Sequence, residues 1–206
     1  MHSLTDARQA IEETWPAIKA ECLSVLGSEL HYQAMIYYLL REYGKVPVAQ
    51  LGMNVKMWIS NPVSSLFQKL DQSKHHDYQG GFEPIPDIVI FKPSISGDWR
   101  RRNNEATLLN MLIAIEVKAS ERAKGRLRPS EINLDIQKLA AHREEVEARG
   151  ASILPIMLIV DSAPIERERM TERALDECQR LAIKLRVGFL YVSPTNEIYC
   201  IEDCYQ

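Results

Sequence analysis

The apolar run Leu109 to Lys118, LNMLIAIEVK, ends in two opposite charges one residue apart. Read as a strand, it places Glu116 and Lys118 on one face with Leu112 and Ala114, and turns Ile113, Ile115 and Val117 to the other. The two charges then sit roughly 7 Å apart at their Cα atoms. Burying a carboxylate and an ammonium there is costly unless they pair with each other or hold a ligand. A second carboxylate, Asp87, opens another apolar run in EPIPDIVIF, behind Pro86, a residue tolerated at the first position of a strand. If the two strands pair, Asp87 and Glu116 converge on one divalent cation. Hard oxygen ligands without clustered His or Cys favour magnesium, with manganese as a substitute, over zinc. Such a cation offsets the repulsion between hydroxide and an anionic phosphodiester and lowers the pKa of bound water. Lys118 would add positive charge where a pentavalent transition state gains negative charge. The chemistry expected of this set is hydrolysis of a phosphodiester by activated water, with no covalent nucleophile.

The elements that must hold these residues follow from periodicity and breakers. Leu4 to Leu26 reads as a helix, with Ile11, Trp15, Ile18, Cys22 and Val25 at helical spacing, kinked or divided at Pro16 and ended by Gly27. Ser28 is an N-cap for a second helix that stops near Gly44 and carries Glu29, Gln33, Ile36 and Leu40 on one stripe. Strands are expected at Asn54 to Ile59, Pro86 to Phe91 and Leu109 to Lys118, the last two joined by an Arg- and Asn-rich loop. Pro129 and Ser130 start a long helix to about Arg149, closed by Gly150. A strand at Ile153 to Val160, a helix at Ile165 to Arg186, a strand at Val187 to Val192 and a last strand at Glu197 to Ile201 complete the order. This is an α/β chain with a mixed sheet flanked by helices, one domain over residues 1–206, with residues 1–27 as a helical extension.

Composition excludes several classes. With 206 residues, 46% hydrophobic and 26% charged, the chain can bury a true core and is neither disordered nor fibrous. The start, Met1 to Gln9, carries charges where a secretory signal needs an apolar core, and no run approaches the roughly 20 apolar residues of a membrane span. A cytoplasmic protein with no membrane partner is expected, and Cys22, Cys178, Cys200 and Cys204 are read as free thiols. The net charge of −3 is uneven: Lys92 to Arg143 carries a balance of +5 and the remainder −8. A basic segment within an acidic chain suits a localised phosphate-binding face.

Pro86-Asp87 followed by Glu116-Val117-Lys118 resembles the PD-(D/E)xK motif of restriction-endonuclease-like nucleases. Strand context for both halves, an acid at Glu29 on the preceding helix, and a following helix bearing Asp135, Gln137, Lys138 and Leu139 extend the likeness. The long Lys92 to Leu108 connection between the halves departs from a tight hairpin. The resemblance implies a restriction-endonuclease-like fold and a magnesium-dependent nuclease acting on DNA; a chain of 206 residues has little room for a separate recognition domain, so sequence specificity would come from loops such as Gln72 to Glu83 or Arg100 to Glu105. It implies that Asp87, Glu116 and the backbone carbonyl of Val117 hold the metal and that Lys118 orients and helps deprotonate the attacking water. Glu29 would assist as the first-helix carboxylate, and Gln137 or Lys138 would face the phosphate.

Each assignment competes with a bland one. Glu116 with Lys118 could be a surface-edge ion pair, Asp87 turn chemistry after Pro86, and Glu29 a first-turn acid on a helix dipole. The Arg100-Arg101-Arg102 run and the series Arg122, Lys124, Arg126, Arg128 flank the charged strand and are expected to contact phosphates without reading sequence. His75 and His76 are expected to point apart in a solvated loop, and Asp161 to be an ordinary strand-to-loop acid. The other class of function is a non-catalytic nucleic-acid-binding or regulatory subunit that keeps the nuclease fold. Because duplex DNA has antiparallel strands, a two-fold homodimer is expected, built from the helix Leu4 to Leu26 and from Tyr191, Tyr199 and Tyr205.

Overall fold

The strand Leu154–Val160, β6, is buried at every position, and its side chains divide cleanly between two helical layers. Ile156, Leu158 and Val160 join the cluster formed with α1 (Leu4–Ser24) and α2 (Glu29–Glu42), whereas Met157 and Ile159 join that of α5 (Pro129–Glu147) and α6 (Glu172–Lys184). Period-two alternation thus sandwiches the sheet between helices. The computed structural model describes residues 1–120 and 125–201.

The main sheet has six strands: β1 (Leu51–Met53), β4 (Ile88–Phe91), β5 (Met111–Ala119), β6, β7 (Gly188–Val192) and β8 (Glu197–Cys200), in that spatial order. The β5–β6 and β6–β7 pairs are parallel and the others antiparallel, so the sheet is mixed. A separate two-stranded ribbon pairs β2 (Ile59–Ser60) with β3 (Gly81–Phe82).

Several expectations are corrected. Asn54 to Ile59 is not one strand: Asn54 has a left-handed φ of 51°, the chain leaves β1 there, and pairing resumes only in the ribbon at Ile59. The run from Leu109 begins as helix, since α4 (Asn104–Asn110) ends where β5 starts. In β5 the pairing skips Leu112 between Met111 and Ile113, a bulge that moves Leu112 into the cluster with Ile113 and Ile115 and leaves Ala114 on the opposite side. Alternation is regular beyond the bulge, so Glu116 and Lys118 still share a face. Ile165 to Arg186 divides into a 3₁₀ turn, Glu166–Glu168, and α6, because Thr171 caps a new helix. Pro16 neither divides α1 nor ends it, because Pro16 is exposed and the carbonyl deprived of a partner can meet water.

The helix expected as an extension packs into the core: Ala7, Ile11, Trp15, Ile18 and Cys22 of α1 cluster with α2 and the sheet. Tyr191 is also inside, donating its hydroxyl to Asp161 at 3.0 Å, and Tyr199 lies against Trp15 with ring centroids 5.8 Å apart. Tyr191 and the inner face of α1 are thus covered within the chain, whereas Leu23, Val25 and Leu26 are exposed, Tyr199 is half-buried and Tyr205 lies outside the described residues.

α3 (Ser65–Gln72) is tied to α5 by one buried acid. Glu145 Oε1 accepts from the backbone N–H groups of Val63 and Ser64, both at 2.8 Å, and Oε2 pairs with Arg149 at 2.7 Å. Glu145→Ala leaves two amides and a guanidinium short of a partner and is expected to cost about 3 kcal/mol in urea unfolding. A loss below about 1 kcal/mol would mean that water serves these donors equally well.

Candidate active site

The antiparallel register of β4 and β5 puts Ile88 opposite Ile115, which brings Asp87, one residue before β4, alongside Glu116 and Val117. Asp87 Oδ2 accepts the Val117 N–H at 2.7 Å and is thereby fixed at the sheet margin. Lys118 emerges where the α2 and α5 layers meet. Its Nζ lies 3.3 Å from Glu29 Oε1, 3.4 Å from Glu116 Oε1, 3.5 Å from Asp135 Oδ2 and 3.4 Å from the Val117 carbonyl oxygen. Three carboxylates from three different elements thus share one ammonium.

Backbone contacts set these positions. Ser28 caps α2 by accepting the His31 N–H, so Glu29 starts the helix beside β5. One turn on, the Tyr32 hydroxyl lies 2.8 Å from Ser162 Oγ, just past β6. Asp161 is more than the ordinary loop acid expected. Fully buried, it accepts from the Met170 N–H at 2.7 Å as well as from Tyr191, and ties the segment after β6 to the sheet. Burial raises its pKa against those hydrogen bonds.

Electrostatics show a crowded anionic site. Burial pushes the Glu116 carboxyl up to about 8, with the Asp87 charge adding to it and Lys118 opposing. Burial likewise pushes Asp87 up to about 6, against the Val117 hydrogen bond and Lys118, with Glu29 and Asp135 adding. For Lys118, burial acts to lower the pKa, but Glu116, Asp135, Glu29 and Asp87 together outweigh it and hold the ammonium above its ordinary value. One ammonium does not balance four acids, and the second lysine present, Lys138, pairs with Asp135 at 2.9 Å. All remaining donors are hard oxygens, and the Val117 carbonyl faces the same space. Hard oxygens are the ligand type that magnesium and manganese take.

Glu29, Asp87, Glu116, Val117 and Lys118 are therefore brought together. Asp135 joins them without having been singled out as a site residue, and Lys138 reaches the site through it. Gln137 does not: it is exposed, one position away from the inward face of α5. A signal for Asp135 was present, since it rides on the stripe of Ile132, Ile136 and Leu139, where a solvated acid would be out of place.

The arginines divide. Arg126 lines a cavity of about 220 Å³ with Glu29, Lys118 and Ser120, its Nε donating to the Arg167 carbonyl at 2.6 Å. Arg128 pairs loosely with Glu131 at 3.7 Å, Arg100 with Asp98 at 2.6 Å, and Arg101 with Glu83 at 2.6 Å. Arg102 is exposed, and Arg122 and Lys124 lie outside the described residues. His75 and His76 do not point apart as expected: their rings lie 4.2 Å from each other and both face Asp77, all three in solvent.

No family model matches the chain, and comparisons with curated proteins and with solved structures give no match. Among the described residues no helix is long and apolar enough to cross a membrane. Cys22 and Cys178 are free thiols.

Proposed function

We propose that the protein is a magnesium-dependent nuclease of the PD-(D/E)xK type with a restriction-endonuclease-like core, hydrolysing phosphodiester bonds of DNA in restriction, repair or defence. One observation carries the reading: Lys118 Nζ within 3.5 Å of carboxylates from α2, β5 and α5, next to the buried Asp87. An ion pair at a strand edge would need one partner and would face solvent. Four acids around one ammonium, two with raised pKa, are a site kept ready for more positive charge.

Asp87, Glu116 and the Val117 carbonyl would hold the cation, which when bound supplies a water of lowered pKa and offsets the charge of the phosphate. Lys118 orients that water and carries positive charge to the transition state. Glu29 and Asp135 hold the ammonium from either side, so its position does not depend on the substrate. Arg126, beside Lys118 in the adjoining cavity, is placed to meet a neighbouring phosphate.

The test is cleavage of supercoiled and linear DNA with magnesium, alongside calorimetric titration with magnesium and manganese. Cleavage by the wild type and none by Asp87→Ala is the expected result. A wild type that binds neither metal, with or without DNA, would instead identify a binding subunit. One such site, acting alone, addresses one strand at a time. Nicked circles should therefore accumulate before linear product on an agarose gel, and simultaneous double-strand cuts would show that two sites act together.

A further inference from the structure

Beside the acids lies a cavity of about 250 Å³ that the hydrolysis itself does not use. Glu116, Asp135 and Lys138 line it, which joins it to the site. Much of the remaining wall is flat and apolar, from Phe82, Leu139 and the run Pro84-Ile85-Pro86 that leads directly to Asp87. The exceptions are Glu83 and His142, which also line the cavity. His142 lies seven residues after Asp135, so it falls on the same face of α5 about 10 Å along the helix.

His142 is only 2% exposed, and its Nε2 has no hydrogen-bond partner among the described residues. Buried polar atoms in folded proteins are nearly always paired, so a turn of this imidazole toward the cavity that it lines would give its Nε2 a partner there. Burial holds the imidazole pKa down to about 4, so it is neutral near pH 7 and offers hydrogen bonding without charge. The occupant must suit apolar flat walls, one neutral polar contact and acidic neighbours. A phosphate is refused by Glu83, Glu116 and Asp135, which outnumber Lys138. A planar, uncharged heteroaromatic ring meets all three conditions.

We propose that this cavity takes a nucleobase of the substrate, swung out of the stack next to the phosphate under attack, with His142 Nε2 bonding its edge. The proposal rests on the nuclease reading and adds the source of base preference to it. Extruding a base requires loss of stacking, which the apolar walls replace in part.

The test has two arms on the full chain. Cut positions are first mapped with magnesium on DNA of randomised sequence. 2-Aminopurine, bright only when unstacked, is then placed at each position around the cut, with calcium replacing magnesium to hold the complex uncut. A several-fold fluorescence rise at one position is expected, absent in Ile85→Phe, which fills the cavity from a wall position that is 42% exposed and tolerant of change. In the second arm, His142→Leu should flatten the base preference at that same position by at least tenfold while cleavage continues. Cleavage with no bright position, or with unchanged preference in His142→Leu, overturns the base pocket and leaves the nuclease reading intact. If His142→Leu fails to fold, the Ile85→Phe comparison decides alone. No cleavage by the wild type overturns both.

Discussion

Without metal at pH 8.5, Glu116→Gln is expected to melt roughly 8 °C above the wild type, a gain of about 3 kcal/mol for a domain of this size. Glu116 is buried beside Asp87, and its carboxyl stands raised to about 8 from an unperturbed 4.5. A raised pKa in the fold means that the native state holds the proton more tightly than the unfolded chain. The stability that goes with protonated Glu116 is therefore fully present below about pH 4.5 and is lost as pH rises through about 8. Glutamine has the same shape, carries no charge and escapes that loss, although it gives up some attraction to Lys118. The gap should close at pH 4.5, where both side chains are neutral in the fold. Saturating magnesium should narrow it at pH 8.5 by stabilising the wild type alone. Melting curves at two pH values with and without the metal check this, and an equal gap at both would show that Glu116 acts through packing.

How much of this was legible in the sequence depended on the length of the signal. β6 and the end of β5 are long, apolar and alternating, so the shared face of Glu116 and Lys118 could be read directly. Ser28 announced α2, and with it the position of Glu29. The ribbon of β2 and β3 was not legible, because two-residue strands have no period. Leu112 was misplaced because a bulge leaves no mark in a run of apolar residues. On α5 the choice between Asp135 and its neighbour Gln137 depended on the helix's rotation about its own axis. That rotation follows from packing of Ile132, Ile136 and Leu139, a stripe visible in the sequence. His142 belongs to the same case: a titratable residue on a buried stripe, legible only once the stripe is followed to its end.

Lys118→Met separates metal binding from chemistry, and the two should move in opposite directions. The ammonium touches Glu29, Glu116 and Asp135 at 3.3 to 3.5 Å and feels the charge of Asp87, so it competes with a divalent cation for the same oxygens. Removing it leaves the acids with less positive charge among them, and magnesium should bind several-fold more tightly in calorimetry. Hydrolysis should nevertheless fall roughly 10³-fold, the scale of losing one well-placed charge-stabilising donor. Methionine keeps the length of the aliphatic stem, so packing against the end of the sheet survives. Lys118→Arg is a further control, since a planar guanidinium keeps the charge but not the point of contact, and should restore wild-type metal affinity with little activity. A parallel fall of affinity and rate in the methionine variant would mean that Lys118 holds the acids in place and takes no part in the reaction. An unchanged rate would remove it from the chemistry altogether.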